Sequence, residues 1–364
     1  MHSSSASETM DQNHLYLYKS AEGCRAITEW YDGLIEQISV PIESRYIQTR
    51  FGATHMLTCG KGGAPPLFLV QGIGCSSPLW RNQLPELAEH FRVHALDTPG
   101  QPGRSAPKPL SFFNDDYVQW LIDVLNVLNI DRAHFIGISS GAWQIMQMSV
   151  HSPHRINKMV LLSPIGLSRA RLPWKIWFNR IMKKSMTTDV LENELTTKSI
   201  NKARIRETGS FGVFDRQVAR SIALCTRHFR MDRALKIYNK KTGRISYRRA
   251  FRILKRFLLS EPKSIIRRIK PDCLILFGEN EILFDPQKVA DRINKLVPKA
   301  EVRIIKGAGH GCIYDKPEES NRRIIEFLTK DQHRIWQTRS RDRHTGTIKP
   351  AVAPAKQNKK KSTV

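Results

Sequence analysis

The 364-residue sequence contains no apolar run approaching the roughly 18 residues that a membrane-crossing helix needs. Residues 1–13 are polar and serine-rich, with neither a basic start nor an apolar stretch, so they do not read as a secretion signal. The cysteines Cys24, Cys59, Cys75, Cys225, Cys273 and Cys312 form no Cys-x-x-Cys pair, which removes the usual sequence mark of a zinc or redox centre. A chain of this length buries enough apolar surface to fold without disulfides. Reduced thiols and a cytoplasmic location are therefore expected, with no metal and no organic cofactor. Cys75 and Cys312 are given no role beyond packing.

Acidic residues are scarce in two places. Residues 168–270 hold 28 Lys and Arg against 7 Asp and Glu, a net +21, and residues 331–364 hold 9 against 2, a net +7. The remainder nets −2 of the total +26. A nearly neutral domain thus carries a basic insertion and a basic tail, and the charge itself marks the boundaries. The expected division is an N-terminal helical arm over 1–43, a core over 44–167 and 271–330, a basic insertion over 168–270, and a basic tail over 331–364. The tail is rich in Lys, Pro and Ala from Lys349 and is expected to be disordered.

Apolar spacing orders the core. Ile27, Trp30, Tyr31, Leu34, Ile35 and Ile38 make a helical stripe over 26–38, ended near Pro41. Residues 46–49 and 54–58 read as a hairpin, and short apolar strands follow at 67–70, 93–96, 133–136, 159–162, 273–277 and 301–305. Helical patterns lie between them, including 80–90, 286–296 and 317–328. This alternation predicts an α/β fold: a mostly parallel central sheet flanked by helices on both faces, with its functional loops at the carboxyl ends of the strands.

One such end carries Gly137-Ile138-Ser139-Ser140-Gly141, where a strand pattern passes directly into a helix pattern. Flanking glycines allow a sharp turn that projects the serine oxygen, so Ser139 is the candidate nucleophile. His310, in the glycine-flanked loop Gly307-Ala308-Gly309-His310-Gly311 after strand 301–305, is the candidate base. The loop after strand 273–277, Phe277-Gly278-Glu279-Asn280-Glu281, supplies carboxylates to orient that base. Serine, acid and histidine occur in the chain order of one known triad type.

These residues, with Gln71-Gly72-Ile73-Gly74 and the turn from Asp97 to Ser105, resemble the α/β-hydrolase family, in particular its cap-bearing serine carboxylesterase-like members. The resemblance spans residues 46–328. It implies an α/β-hydrolase fold with an inserted helical cap, a triad of Ser139, His310 and Glu281, and an oxyanion hole of the backbone N–H groups of Ile73 and Ser140. The helical arm and residues 46–55 look like the N-terminal extension of some bacterial members.

The chain departs from the family pattern in three places. Glu281 stands where Asp is usual, and Asp285 is the alternative acid. Gln71 replaces the usual His, and Pro102 is inserted in the turn that resembles D-x-P-G-x-G-x-S. Serine at the nucleophile position disfavours an alkyl-enzyme mechanism of the epoxide-hydrolase kind.

The expected activity is hydrolysis of a small-molecule carboxylic ester. Thioesterase, acyltransferase and carbon–carbon hydrolase are the alternatives on the same apparatus, and a basic scaffold that binds membrane or nucleic acid is the non-enzyme alternative. In the cap, Trp174, Trp177, Phe178, Ile181 and Met182 follow helical spacing among lysines and arginines, and Tyr247, Phe251, Leu254 and Leu258 do the same beside Arg248, Arg249, Arg252, Lys255 and Arg256. The plainest expectation is that these stripes line the pocket while the charges face water. The sharper one is contact with an anionic membrane surface, which would leave a cytoplasmic protein peripheral to the membrane. Nucleic acid is disfavoured, because no recognition module accompanies the charge.

Overall fold

Strands that are apolar on both faces require cover on both faces, and the architecture supplies it. The computed structural model describes residues 15–168, 215–239, 244–255 and 263–330. The long strands are β1 (Glu43–Thr49), β2 (Gly52–Cys59), β3 (Pro66–Val70), β4 (Arg92–Leu96), β5 (Ala133–Ile138) and β6 (Ile156–Leu162). A small antiparallel pair follows, β7 (Tyr238–Asn239) and β8 (Arg244–Ile245), then β9 (Asp272–Gly278) and β10 (Glu301–Ile305). The main sheet has eight strands in the order β1-β2-β4-β3-β5-β6-β9-β10. β2 pairs antiparallel with β1 and with β4, and every other neighbour in this sheet is parallel.

The described helices that matter here are α1 (Ala21–Ile35), α2 (Leu84–His90), α3 (Asp116–Val127), α4 (Ser140–His151), α5 (Arg216–His228), α6 (Met231–Ala234), α7 (Tyr247–Leu254), α8 (Pro286–Leu296) and α9 (Pro317–Thr329). The period of two along β3 divides the core. Leu67 and Leu69 pack with Leu84, Leu87, Ile324 and Leu328 on one face, while Phe68 and Val70 pack with Trp120, Leu121, Ile145 and Ile293 on the other. Full burial of each such side chain contributes about 1.5–3 kcal/mol.

Two helices differ from their sequence patterns. The stretch over 80–90 is a 3-10 turn at Ser77–Trp80 followed by α2. Pro85 has no N–H to give and its ring excludes the carbonyl one turn earlier, so the helix restarts at Leu84. α1 begins five residues before the apolar stripe, because the Ser20 hydroxyl accepts the Gly23 N–H at 3.0 Å and caps an earlier start.

The N-terminal helix does not stand alone. Cys24 and Ile27 of α1 share a buried cluster with Leu224, Cys225 and Phe229 at the end of α5. Backbone bonds reinforce it: Lys19 N–H donates to the His228 carbonyl at 2.8 Å, and Arg230 N–H to the Leu17 carbonyl at 2.7 Å. The segment before the sheet and the insertion between β6 and β9 are thus packed into one unit. Among the described residues, no helix is long and apolar enough to cross a membrane. The stripe from Trp174 to Met182, Leu258 and the tail over 331–364 lie outside the described residues.

β3 is flanked by β4 on one side and β5 on the other, so the loops leaving the carboxyl ends of β3 and β5 turn to opposite faces. A crevice opens between such diverging loops, and it is the usual ligand position in a sheet of this kind.

Candidate active site

Ser139 occupies that crevice on a backbone that few L-residues adopt, with φ 56° and ψ −112°. Holding a non-glycine residue there costs of order 1–3 kcal/mol, which the surrounding packing must supply. Two glycines make the turn. A Cβ on Gly137 would lie 2.6 Å from the Ala142 nitrogen, and one on Gly141 would lie 2.3 Å from the Val70 carbonyl oxygen. The Ser139 N–H donates to the Leu162 carbonyl at 2.9 Å, tying the turn to β6. Ser140 opens α4, so its N–H belongs to the unsatisfied first turn of that helix, at the positive end of its dipole.

The loop after β3 runs beside this turn. The Cβ position of Gly72 is 3.5 Å from the Ser139 Cβ, and Ile73 follows with its side chain packed against the core. Both ends of the loop are held by side chains. Tyr314 Oη donates to Gln71 Oε1 at 3.0 Å, and Gln101 Oε1 accepts the Gly74 N–H at 3.0 Å. Gln71 therefore performs an anchoring task with a buried tyrosine as its partner. Over the far end, the methyl carbon of Met231 in α6 lies 3.0 Å from the Gly74 Cβ position.

On the other side of the crevice, His310 Nδ1 and Glu281 Oε2 are 2.8 Å apart, and both side chains are almost fully buried. Glu281 Oε1 accepts the Leu283 N–H at 3.0 Å, so each carboxylate oxygen has a donor. With Nδ1–H given to Glu281, Nε2 is the basic nitrogen of the ring. The loops carrying the two residues are joined by backbone: Asn280 N–H donates to the Ala308 carbonyl at 2.8 Å, and the Glu279 carboxylate accepts the Gly307 N–H at 2.9 Å. Gly278 makes the approach possible, because a Cβ there would sit 2.0 Å from the Gly309 carbonyl oxygen.

Asp285 is placed differently from Glu281. It is the N-cap of α8, and its Oδ1 accepts the Lys288 N–H at 3.2 Å. The structure thus brings Glu281 to His310 and puts Asp285 at the head of the next helix. Burial pushes the Cys75 thiol up to about 12 and raises that of Cys312 as well, so both stay protonated at neutral pH.

The turn after β4 holds a buried polar knot that the sequence reading assigned no role. Asp97 Oδ2 accepts from Tyr31 Oη at 2.8 Å, His55 Nδ1 at 2.9 Å and the Arg104 N–H at 3.0 Å, while Oδ1 accepts the Ser77 N–H at 2.8 Å. Burial alone would raise the Asp97 pKa, but the hydrogen bond and charge of His55, with the N–H groups of Arg104 and Ser77, hold it below its ordinary value. The chain comes close enough for this only because Gly103, at φ 139°, has no Cβ to meet the Asp97 carboxyl. The inserted Pro102 is accommodated within that loop, which delivers Gln101 to Gly74. Gln101 and Tyr314 are the supporting residues that sequence reasoning missed. A polar residue within a glycine turn was the only hint of the first, and the second, 243 positions from its partner, had none.

Comparison with known proteins agrees with this fold. The family model described as alpha/beta hydrolase fold matches residues 65–317. The "Uncharacterized carboxylesterase nap" of Bacillus subtilis (strain 168) is 27% identical over 330 residues, which cover 91% of this chain and 97% of that protein. Carboxylesterase YbfK of the same organism is 28% identical over 303 residues, covering 82% of this chain and 93% of its own. The crystal structure of the B. subtilis naproxen esterase superposes with a TM-score of 0.64 at 24% identity, covering 85% of this chain and 99% of that one.

Proposed function

This chain belongs to the α/β-hydrolase family and is carboxylesterase-like over most of its length, and from that premise we propose that it hydrolyses small carboxylic esters through an acyl-enzyme on Ser139. The observation that supports this most is the 2.8 Å contact between His310 Nδ1 and the buried Glu281. It gives the imidazole a fixed tautomer with Nε2 as base, at the same sheet edge as the strained Ser139 turn.

In this reading His310 Nε2 takes the Ser139 proton as Oγ attacks the ester carbonyl carbon. The backbone N–H groups of Ile73 and Ser140 stabilise the oxyanion that forms. Collapse of the tetrahedral intermediate expels the alcohol, which leaves with the proton held by His310. Water then attacks the acyl-enzyme with His310 as base again, releasing the acid and restoring Ser139. Glu281 steadies the ring and favours its charged form while the proton is held. Protein groups perform every step, so the reading needs no metal or cofactor. In this reading Met231, which lies against Gly74 of the glycine loop, forms part of the roof over the pocket.

A fluorophosphonate followed by peptide mass spectrometry tests the assignment. A single adduct on Ser139 is expected, with labelling and ester turnover both lost in Ser139→Ala. No adduct under conditions of turnover, or labelling that survives Ser139→Ala, would overturn it.

A further inference from the structure

Among the described residues, the exposed large apolar side chains are Tyr46, Phe113, Val127 and Phe251, and two of these share one cationic face. α7 rests on the core through Ile253, which is buried, and Ala250, which packs on the same cluster. Its opposite side carries Arg248, Phe251, Arg252 and Lys255, all exposed and spaced i, i+3, i+4, i+7 along one face. Phe251 is 58% exposed at the centre of that row. The Arg252 guanidinium lies 5.6 Å from the Phe113 ring centroid, which extends the face to the loop before α3.

α7 contains no acidic residue. The carboxylates next to Phe113 in the chain have local partners: Asp116 takes the Ser111 N–H and lies 3.9 Å from Lys236, and Asp115 takes the Gln119 amide. The face is therefore cationic with an apolar centre. Water is a poor environment for such a Phe, while a bilayer interface accepts the ring among acyl chains and the guanidinium groups among phosphates.

We propose that this face docks on an anionic phospholipid bilayer, with Phe251 and Phe113 entering the interface and Arg248, Arg252 and Lys255 pairing with lipid phosphates. Charge selects the occupant. The cations are concentrated in the insertion, net +21 over residues 168–270, and the chain outside the insertion and the tail nets −2, so a polyanion's backbone finds no basic track across the core. The proposal goes beyond the ester reading and does not depend on it.

Flotation of the full-length chain with vesicles of phosphatidylcholine, with and without phosphatidylglycerol, tests the proposal. Binding is expected only with phosphatidylglycerol. Phe251→Ser should weaken it about tenfold, and replacing Arg248, Arg252 and Lys255 together by Gln should weaken it on the order of 100-fold, about fivefold per charge. Both variants should keep the parent's urea midpoint, which separates loss of docking from loss of fold whatever the chemistry at Ser139. Equal binding to both vesicle types, or unchanged binding by both variants, would overturn the proposal. So would single-stranded RNA that binds more tightly than the vesicles and loses affinity in Phe251→Ser, because the face would then serve nucleic acid.

Discussion

Gln101 Oε1 accepts the backbone N–H of Gly74 at 3.0 Å, so a side chain from the turn after β4 holds the loop that carries the Ile73 N–H. If that loop stabilises an oxyanion, Gln101 acts through it as a positioning residue. Gln101→Leu keeps most of the volume and removes the acceptor, leaving a buried donor unmatched at a cost of about 1–3 kcal/mol. The expected result is a kcat lowered at least tenfold with KM within twofold. A change confined to KM in steady-state kinetics would contradict the role.

The two candidate acids should separate cleanly. Glu281→Gln leaves His310 without an anionic partner and should lower kcat by roughly 10⁴, the scale seen when a triad acid is neutralised. Asp285→Ala removes the α8 cap and should cost about 1 kcal/mol of stability. That loss reads as a Tm lowered by a few degrees, with activity within twofold of the parent. Equal activity losses in the two variants would show that Glu281 has no special position.

Gly278→Ala probes the same contact from the backbone. The added methyl meets the Gly309 carbonyl oxygen at 2.0 Å, next to His310, so the histidine loop must move. Even a shift of about 1 Å can lower a rate about 100-fold, and that drop is expected together with a destabilisation of about 1–3 kcal/mol from overpacking. Parent-like turnover by a folded variant would show that the spacing of the two loops is not critical.

The central strands β3, β4, β5, β6 and β9 were legible because each is a short apolar run bounded by glycine, proline or polar residues, whereas the two-residue strands β7 and β8 carry no such pattern. The placement of Ser139, Glu281 and His310 at strand ends followed from those boundaries. Less legible was anything set by distant partners. The pairing of Tyr314 with Gln71 and the packing of α1 on α5 join residues hundreds of positions apart, and local spacing carries no trace of either. The break before Leu84 and the cap at Asp285 were readable in principle. Pro85 interrupts the first pattern, and Asp285 directly precedes Pro286, a helix-start signature that apolar periodicity alone does not register.

Acid should destabilise the fold through two buried histidines. Burial first, then nearby cations, lowers His94 and His134 from 6.5 to about 4; Arg92 and Arg45 act on the former, Lys158 and Arg132 on the latter. Both are neutral in the folded chain, so between those values the unfolded chain binds more protons. The stability they contribute is complete above pH 6.5 and is lost as pH falls toward about 4. Each accounts for on the order of 3 kcal/mol. His134→Phe should retain roughly half of the stability that the parent loses across this window, measured by urea midpoints at its two ends. Equal losses in parent and variant would remove His134 from the acid response.

The bonds from Lys19 to His228 and from Arg230 to Leu17 have a consequence for synthesis. α1 leaves the ribosome long before α5 exists, and at about 5–20 residues per second the delay is roughly 10–40 s. Through that interval Cys24 and Ile27 have no cover from Leu224 and Phe229. The nascent chain therefore passes through a stage in which its first helix presents a bare apolar stripe, and a chaperone that holds nascent chains has its clearest opportunity there.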